Sequence, residues 1–425
     1  MKKLLALVLA LASLLSLTAC GGSNSDSSAD SGSSDGAVSI TIFNSKNEIQ
    51  PDLEAAAAAY SAANGVNIEV YYSQDTVAAH LATRYAAKDP YTINMVDAKD
   101  VYTLGVQYGY DMSGQDWVAD TDYAITVDGK VLGFPVCIEA RGIIYNGEAI
   151  RAIVPDFDPT AVKTTEEFQA VIDALIDGGM ETPTGVMKED WSLAAHFLAE
   201  VYEMHADPDA FIAGIKDGSI QLAEDDIYNA MMDTFDVLKD NNYAKASAIS
   251  AEREVTEQML AEGELAFMFG GNWDWSVINA YNYSDDMGMM PVPNDLGDGS
   301  SDKLVGGGSK YFYVDNGVSE EQQQAAKDFL NWLVYDEEGQ SFLVEECALV
   351  PAYSNITLEV ADPLGASVKA YTDADALIGN YNYLPDDHYA KVGASFQKYL
   401  AGQIDRVGLA DEITAYWATA EVGAH

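Results

Sequence analysis

Residues 38–72 read VSITIFNSKNEIQPDLEAAAAAYSAANGVNIEVYY, and this stretch decides the fold. A short apolar run comes first, an alanine-rich segment starts with Pro51 and stops at Gly65, and a β-branched and aromatic run follows. Because proline is favoured in the first turn of a helix and glycine just beyond its end, the middle segment is predicted to be a helix between two strands. Two strands joined through a helix pack in parallel, so the stretch predicts a βαβ unit.

The same alternation continues along the chain. The helical pattern TVAAHLATRYAA leads into the apolar run YTINMVD (residues 91–97), and EVTEQMLAEG leads into ELAFMF (residues 264–269). Alternating helices and strands predict an α/β fold in layers. In open α/β sheets, ligands bind beyond the carboxyl ends of the strands. The loops that this rule selects are residues 44–48, 73–75, 97–99 and 270–274.

The N-terminus has the pattern of an export signal over residues 1–19, with Lys2 and Lys3 before an apolar run and small residues at its end. The apolar run is shorter than the roughly 20 residues that a membrane-spanning helix needs. Residues 17–20, LTAC, resemble the lipobox of bacterial lipoproteins, in which Cys20 carries the lipid. The polar residues 21–36 are predicted to form a flexible tether. We therefore expect an exported protein anchored by palmitate-type acyl chains to the outer face of the bacterial cytoplasmic membrane.

Charge narrows the range of partners. The chain has 68 acidic and 22 basic residues and a net charge of −46. A surface of this sign repels nucleic acid and anionic lipid head groups. The composition therefore predicts no nucleic-acid partner, and contact with the membrane only through the lipid anchor.

Motifs for catalysis and for metal binding are scarce. The chain has no Walker-type G-x-x-x-x-G-K-[ST], no H-E-x-x-H and no C-x-x-C, and its five histidines are scattered. Cys137 and Cys347 lie in apolar runs, which predicts two buried thiols rather than a disulfide. We expect no enzymatic activity, no metal site and no cofactor. A secreted glycoside hydrolase is a less favoured alternative, because so acidic a chain offers carboxylate pairs by chance.

Aromatic residues indicate a different kind of site. The chain has 25 Tyr, 13 Phe and 6 Trp, many of them beside amides and acids, as in GGNWDW (residues 270–275). Sugars present apolar faces and a rim of hydroxyls, so a sugar site needs flat aromatic surfaces with polar side chains at their edge. Aromatic rings with carboxylates would also suit an ammonium ligand such as a polyamine, and this alternative stays open.

The stretch VLGFPVCIEARGIIYN, residues 131–146, has two apolar runs interrupted by Glu139 and Arg141. Charges inside a strand-like run are costly to bury unless they are paired or meet a ligand. The residues alone leave open whether this pair forms an internal bridge, lies exposed on one strand face or faces a binding site.

Three stretches carry a resemblance to a known family: GFPVCIEARGIIYN (133–146), GELAFMFGGNWDWSVIN (263–279) and KLVGGGSKYFYV (303–314). With the lipobox and the tether, they resemble the extracellular solute-binding lipoproteins of ABC importers, in the carbohydrate-binding family that includes maltose-binding protein. The resemblance covers the chain from about Val38. It implies a two-lobed fold of the type II periplasmic-binding-protein kind, which closes on a carbohydrate by a hinge motion. It also implies a monomer whose protein partners are the membrane permease subunits.

The resemblance also implies how the chain divides. One lobe takes residues 37–138 and 291–346, and the other takes residues 139–290 and 347–425. The chain is expected to cross between them near residues 138–141, 286–291 and 346–352.

The strand-end loops and the resemblance together predict the ligand contacts. Sugar rings are expected to stack on Trp191 and Trp273, and polar side chains to bind the hydroxyls. The predicted contacts are Asn44, Lys46, Glu48, Gln74, Asp97, Glu139, Arg141, Trp191, Asn272, Trp273, Asp274, Gly307, Tyr383, Asp387 and His388. For the contacts near the final helix, Tyr381 and Tyr383 stay open as alternatives to Asp387 and His388.

Trp273 and Trp275 cannot share one role. Two positions apart on a helix means about 200° apart, so the two indoles cannot stack on the same sugar face. The helical wheel does not choose between them, and only the resemblance favours Trp273 for the ligand and Trp275 for the core. Asn272 is predicted to be the N-cap of the helix that follows.

Overall fold

A computed structural model of the chain describes residues 37–421. The predicted export signal, the lipidated Cys20 and the tether up to residue 36 lie outside the described residues.

Twelve strands lie within the described residues. They are β1 (Ser39–Asn44), β2 (Asn67–Tyr72), β3 (Ile93–Asp97), β4 (Ile125–Val127), β5 (Lys130–Pro135), β6 (Ile138–Asn146), β7 (Thr184–Gly185), β8 (Phe267–Gly271), β9 (Met287–Met290), β10 (Leu304–Gly308), β11 (Lys310–Val314) and β12 (Leu377–Ile378).

Sixteen α-helices lie in the same part of the chain. They are α1 (Gln50–Asn64), α2 (Val77–Ala86), α3 (Ala98–Asp100), α4 (Val106–Tyr108), α5 (Gly147–Arg151), α6 (Thr165–Asp177), α7 (Leu198–Glu203), α8 (Pro208–Asp217), α9 (Asp226–Asp240), α10 (Arg253–Ala261), α11 (Trp275–Ile278), α12 (Glu320–Tyr335), α13 (Glu337–Ser341), α14 (Pro363–Asp373), α15 (His388–Leu400) and α16 (Arg406–Trp417).

Shorter helical segments complete the description of residues 37–421. Three of them are π-helical, in which the backbone hydrogen bonds span five residues: Val101–Gly105, Trp191–Phe197 and Phe342–Glu346. The 3-10 turns are Asn47–Ile49, Asp116–Asp120, Pro159–Ala161, Leu222–Glu224, Lys245–Ser250, Asn272–Asp274 and Ser300–Asp302.

The first sheet has the strand order β2-β1-β3-β11-β5-β4. β1 pairs in parallel with β2, from Ser39 opposite Asn67 to Asn44 opposite Tyr72, and in parallel with β3 on its other side. Helix α1, which joins β1 to β2, ends at Gly65, whose φ of 69° is the left-handed conformation that glycine adopts most readily. The predicted βαβ unit is therefore confirmed.

The second sheet has the order β12-β10-β6-β8-β7, and β9 also pairs with β6. The chain passes between the sheets over very short segments. β5 ends at Pro135 in the first sheet and β6 begins at Ile138 in the second, while β10 ends at Gly308 and β11 begins at Lys310. A backbone bridge from Ile138 to Val350 lies at the same place. The two sheets are therefore joined at one narrow region.

The chain does not pass from one sheet to the other near residue 291, where the resemblance implies a crossing. β9 and β10 both belong to the second sheet. Between them the chain stays on the second lobe, where the Asn294 N–H donates to the Lys163 carbonyl at 2.9 Å. A passage at Ser309 thus replaces the one expected at 286–291, and the exact limits of the lobes remain a prediction.

Buried apolar side chains form a core that continues from one sheet to the other. One cluster includes Ile42 and Phe312 of the first sheet and Ile144 and Leu304 of the second. A separate cluster packs the second sheet against its own helices. Within residues 37–421, every helix is too short or too polar to span a bilayer.

Cys137 and Cys347 are both free thiols, as the sequence predicts. Cys137 is fully buried, and burial raises the pKa of its thiol to about 12. Cys347 is only half-buried, so the expectation of two buried thiols holds for Cys137 alone.

Candidate ligand-binding site

A cavity of about 470 Å³ lies between the two sheets. Its walls come from the loops at the carboxyl ends of β1 and β3, from β6, from the π-helix Trp191–Phe197 and from the chain around residues 380–389. This is the edge of the first sheet that the strand-end rule selects. The predicted ligand residues that line it are Lys46, Glu48, Asp97, Glu139, Arg141, Trp191, Trp273 and His388.

The loop after β1 is shaped by Asn44. The Asn44 amide nitrogen donates to the Lys46 carbonyl at 2.8 Å, and the Asn44 amide oxygen accepts from the Lys46 N–H at 2.9 Å. Asn44 is fully buried and does not line the cavity. Asn44, which was predicted to contact the ligand, therefore holds the backbone of Lys46 in place.

Lys46 links the two lobes through Glu139. The Lys46 Nζ lies 2.6 Å from Glu139 Oε1 and 2.7 Å from Glu48 Oε1, and the Lys46 side chain is only 4% exposed. The Ser309 hydroxyl donates to the other oxygen of Glu139. Burial alone would lower the pKa of Lys46, but the Glu139 and Glu48 carboxylates outweigh it and raise that pKa. Burial opposes ionisation of Glu139 in the same way, yet Lys46 and Ser309 keep its pKa below the usual value.

Two further lysines on the cavity wall form ion pairs with acids. Lys310, the first residue of β11, lies opposite Asp97 at the end of β3, and its ammonium group pairs with the Asp97 carboxylate. This pairing outweighs the opposing effect of burial and lowers the pKa of Asp97. Lys99 bonds Asp100 at 2.9 Å and reaches Asp386 on the opposite lobe at 2.7 Å.

Arg141 on β6 is held by two acids from helix α7. Its guanidinium pairs with Glu203 and lies 3.5 Å from Glu200, and both carboxylates are 3% exposed. The Arg141 Nη1 also donates to the Asn380 side-chain oxygen at 2.9 Å. Burial raises the pKa of Glu203 and raises that of Glu200 to about 8, against the attraction of Arg141. One guanidinium thus serves two buried carboxyl groups, and Glu200 carries a proton near neutral pH.

The charges on the cavity wall are paired within the protein. Each acid that lines the cavity has a cation as a partner, and each cation has an acid. The lining acids are Glu48, Asp97, Glu139, Glu203 and Asp386, and the lining cations are Lys46, Lys99, Arg141 and Lys310.

Aromatic rings form another part of the wall. Trp191 and His196 of the π-helix lie with ring centroids 5.2 Å apart, and His196 lies 4.7 Å from Trp273. The Arg253 guanidinium carbon is 5.4 Å from the centre of the Trp191 ring. A side chain at Gly393 of α15 would overlap Asp190, so this glycine lets α15 pack closely against the start of the π-helix.

Trp273 and Trp275 take different positions, as expected. Trp273 lines the cavity, whereas Trp275 is 8% exposed and packs in the core beside Ile278. One indole therefore faces the ligand space and the other stabilises the fold.

The side chains of Asn272 and Asp274 accept hydrogen bonds from backbone N–H groups and do not line the cavity. The Asn272 side-chain oxygen accepts from the Ala140 N–H at 3.0 Å, so Asn272 fixes β6 and is not the N-cap. Asp274 is fully buried, accepts from the Gly271 N–H at 3.0 Å and pairs with Arg253.

The cleft loop, residues 380–387, closes one side of the cavity. It is tied to the second lobe by the Tyr381 N–H, which donates to Glu203 at 2.8 Å. Tyr383 does not line the cavity; its ring lies 4.8 Å from that of Tyr102 on the first lobe. Asp387 also lies off the cavity and accepts from the Tyr416 hydroxyl at 2.8 Å.

Three other predicted residues have distinct surroundings. His388 lines the cavity, but its ring is buried against Tyr202, and burial lowers its pKa to about 3. Gln74 is exposed in its loop, and Gly307 lies within β10, and neither lines the cavity.

Several lining residues were not predicted from the sequence, among them Lys99, His196, Glu203, Ser309, Lys310, Asn380 and Asp386. Lys310 and Ser309 lie in KLVGGGSKYFYV, but only the pairing of β11 with β3 brings Lys310 to Asp97. Lys99 could have been predicted, because the strand-end rule selects the loop of residues 97–99. Among residues 37–421, no group of three or more His, Cys, Asp or Glu side chains is placed to hold a metal ion.

Two sheets joined at one narrow region, with a cavity lined from both, define a two-lobed protein with room for a small solute between its lobes. This is the architecture of solute-binding proteins. Residues 55–376 match the family described as bacterial extracellular solute-binding protein, and the chain belongs to this family.

Solved structures support the same fold. RafE in complex with raffinose has a TM-score of 0.75 at 19% identity, over 90% of this chain and 99% of that one. A sugar transporter from Bacillus licheniformis in complex with stachyose has a TM-score of 0.68 at 17% identity, over 90% and 99%. A family 1 extracellular solute-binding protein from Bifidobacterium longum subsp. infantis has a TM-score of 0.64 at 22% identity, over 91% and 100%. The predicted two-lobed α/β fold is therefore confirmed. No curated protein matches the chain significantly.

The two acids on α7 should contribute unequally to stability. Replacing Glu203 by Gln removes a charge-assisted bond to Arg141 and should lower the free energy of unfolding by about 1.5 to 3 kcal/mol. Glu200→Gln mimics the protonated acid and should cost less than about 1 kcal/mol. Urea unfolding at pH 7 measures both. An equal loss for the two variants would contradict this assignment.

The same variants test the proton on Glu200. In the unfolded chain Glu200 ionises near its ordinary pKa, whereas the folded protein keeps the proton up to about pH 8. The stability that this proton contributes is therefore complete at low pH and is lost as the pH rises through 8. The wild-type protein should lose stability more steeply than Glu200→Gln between pH 5 and 9. Parallel curves would contradict the raised pKa.

Proposed function

We propose that the protein is the substrate-binding component of an ABC importer, which captures a neutral carbohydrate, preferably an oligosaccharide, outside the cell and delivers it to membrane permease subunits. The observation that carries the proposal is the cavity wall itself. An aromatic surface of Trp191, His196 and Trp273 meets polar groups whose charges are already matched within the protein. Membership in the extracellular solute-binding family supports export and binding.

A sugar fits both parts of this wall. Its apolar C–H face stacks on an indole, and its hydroxyls both donate and accept hydrogen bonds. Ionised but paired side chains such as Glu139 and Lys46 still have free lone pairs and N–H groups for those hydroxyls. Hydrogen bonds to charged groups contribute about 1.5 to 3 kcal/mol each when water is excluded. RafE and the Bacillus licheniformis protein, which have the same fold, are named as complexes with raffinose and stachyose.

The charge pairing disfavours a polyamine. A bound ammonium group needs carboxylates that have no other cation, and each lining acid already has a Lys or Arg partner. A polyamine would have to displace these cations or place its charge beside them, and both cost free energy.

The same pairing disfavours a glycoside hydrolase. Such an enzyme needs one carboxylic acid with a raised pKa to protonate the leaving group. Glu139 and Asp97, which face the cavity, are held ionised by Lys46 and Lys310 and have lowered pKa values. Glu203 also lines the cavity and has a raised pKa, but its carboxyl group is 3% exposed and is paired with Arg141. The wall therefore suits reversible binding.

Contacts across the cavity support closure of the lobes on the ligand, which we propose as the binding motion. Lys99 of the first lobe bonds Asp386 of the cleft loop, and Tyr102 contacts Tyr383. Both contacts involve the chain at the cavity edge, away from the core that the two sheets share, so they can open without disturbing that core. We propose that the closed form is the one that the permease recognises, and that the protein acts as a monomer.

Binding should depend on Trp273 without a change in folding. Removing the indole by Trp273→Ala deletes a stacking surface worth about 1.5 to 3 kcal/mol, so the affinity for the sugar should fall about 10- to 100-fold. Tyr72→Ala, an exposed aromatic that does not line the cavity, is the matched control and should bind normally.

The ligand for this comparison comes from a thermal-shift screen of the mature chain against mono- and oligosaccharides, including raffinose and stachyose, with spermidine as the cationic arm. A ligand at 100 times its Kd adds about 2.7 kcal/mol to the stability. A response to spermidine and to none of the sugars would overturn the proposal, as would unchanged affinity in Trp273→Ala.

We further propose that acyl chains on Cys20 hold the exported protein at the outer face of the cytoplasmic membrane, because residues 17–20 fit a lipobox. Two or more acyl chains give stable anchoring where one does not. In cells, Cys20→Ser should move the protein from the membrane fraction to the soluble exported fraction. Retention of the variant in the membrane fraction would contradict the anchor.

A further inference from the structure

His196 lies in the aromatic wall because of an irregular helix. In an α-helix, residues five apart point about 140° away from each other. Trp191 and His196 are five apart, yet their rings are in contact at 5.2 Å, because the segment Trp191–Phe197 is a π-helix. Short π-helical segments are frequent at functional sites. Here the segment turns a histidine toward the cavity that α-helical geometry would turn away from Trp191.

Trp273 completes the surroundings of this histidine. Its ring centroid lies 4.7 Å from that of His196, and the two ring planes are inclined by 52°. His196 thus lies between two indoles, and all three side chains line the cavity. A sugar that stacks on either indole meets the imidazole at its edge.

The ring nitrogens of His196 are available to a ligand. None of the hydrogen bonds between residues 37–421 engages them, and the side chain is only half-buried. The charged side chains of the same wall, by contrast, are already paired. His196 therefore offers hydrogen-bonding capacity that the fold does not use.

The imidazole is neutral at physiological pH. Burial lowers its pKa well below the usual value, and the nearby Arg141 and Arg253 lower it further. Lys310 acts in the same direction, and only Asp97 opposes them. A neutral imidazole has one N–H donor and one nitrogen acceptor, which match a sugar hydroxyl pair, whereas an imidazolium would offer two donors and favour an anion.

We propose that His196 is a specificity-determining residue, which donates one hydrogen bond and accepts another from adjacent hydroxyls of the sugar unit held against Trp191 and Trp273. This inference rests on the proposed sugar-binding function. It adds a requirement for hydroxyls at this position, because a site that loses a hydrogen-bond partner discriminates strongly against the analogue that lacks it.

Binding by variants of the mature chain tests the inference, with whichever of raffinose, stachyose and mannotriose binds most tightly as the probe. His196→Phe keeps a flat ring but has no polar atom, so the Kd should rise about 10- to 100-fold, as for two lost hydrogen bonds. His196→Gln keeps a donor and an acceptor and should recover part of this loss. Both variants should unfold at the wild-type temperature without ligand.

The outcomes separate this inference from the proposed function. If Trp273→Ala loses binding while His196→Phe binds as tightly as wild type, the role of His196 is overturned and the sugar site stands. If His196→Gln binds no better than His196→Phe, the hydrogen-bonding role is likewise overturned. If none of the three sugars binds the wild-type chain, the proposed oligosaccharide function falls, and this inference with it.

A pH series tests whether the imidazole of His196 is neutral when the ligand binds. The wild-type Kd should stay within about threefold from pH 6.5 to 8, because burial and the nearby Arg141 and Arg253 keep His196 neutral there. A change of affinity near pH 6.5 that is absent in His196→Gln would contradict the neutral donor and acceptor pair.

Discussion

The carboxylate of Glu139 lies between the Lys46 ammonium group and the Ser309 hydroxyl, at the place where the chain passes twice between the sheets. A carboxylate that is 12% exposed is costly unless it has partners, and removing one partner from such a buried pair costs about 3 to 5 kcal/mol. Lys46 comes from the first lobe, Glu139 is the second residue of the central strand of the second, and Ser309 joins the two sheets. The need to neutralise one charge therefore fixes the junction of the lobes and the floor of the cavity together.

The same constraint extends along the wall. Lys310 neutralises Asp97, Arg141 neutralises Glu203, and Lys99 reaches across to Asp386. Since each of these groups has an oppositely charged partner, the cavity is polar without an unpaired charge, and its five acids share four cations. Aromatic rings add the apolar surface that a neutral, hydroxyl-rich ligand requires. Charge pairing and stacking are thus complementary parts of one recognition site, and neither alone would separate a sugar from a cation or an anion.

Much of the fold could be predicted because its signals are local. The helix between Pro51 and Gly65 and the two strands that flank it follow from residue types over 35 positions. The strand-end rule placed Lys46 and Asp97 at the cavity for the same reason. The pairing of Lys310 with Asp97 could not be predicted, because it depends on the register between strands more than 200 residues apart. His196 was missed because only the π-helix brings it beside Trp191.

Polar residues beside a tryptophan in the sequence were the least reliable predictors of ligand contacts. Asn272 and Asp274 flank Trp273 in the sequence, yet both are occupied by backbone N–H groups and a neighbouring arginine. A sequence does not show whether an amide or a carboxylate serves the backbone or a ligand, since both uses satisfy the same buried hydrogen-bonding groups. Gln74, selected by the strand-end rule, lies in an exposed loop because β2 is the edge strand of its sheet.

The central claim is that a wall of mutually paired charges selects a neutral ligand. The most direct measurement is a calorimetric titration of the mature chain with its tightest-binding sugar at about 50 mM and about 500 mM NaCl. Salt screens interactions between a charged ligand and its site but has little effect on a neutral one. We predict a Kd that changes by less than about twofold, whereas a loss of affinity beyond about tenfold at high salt would contradict selection of a neutral ligand.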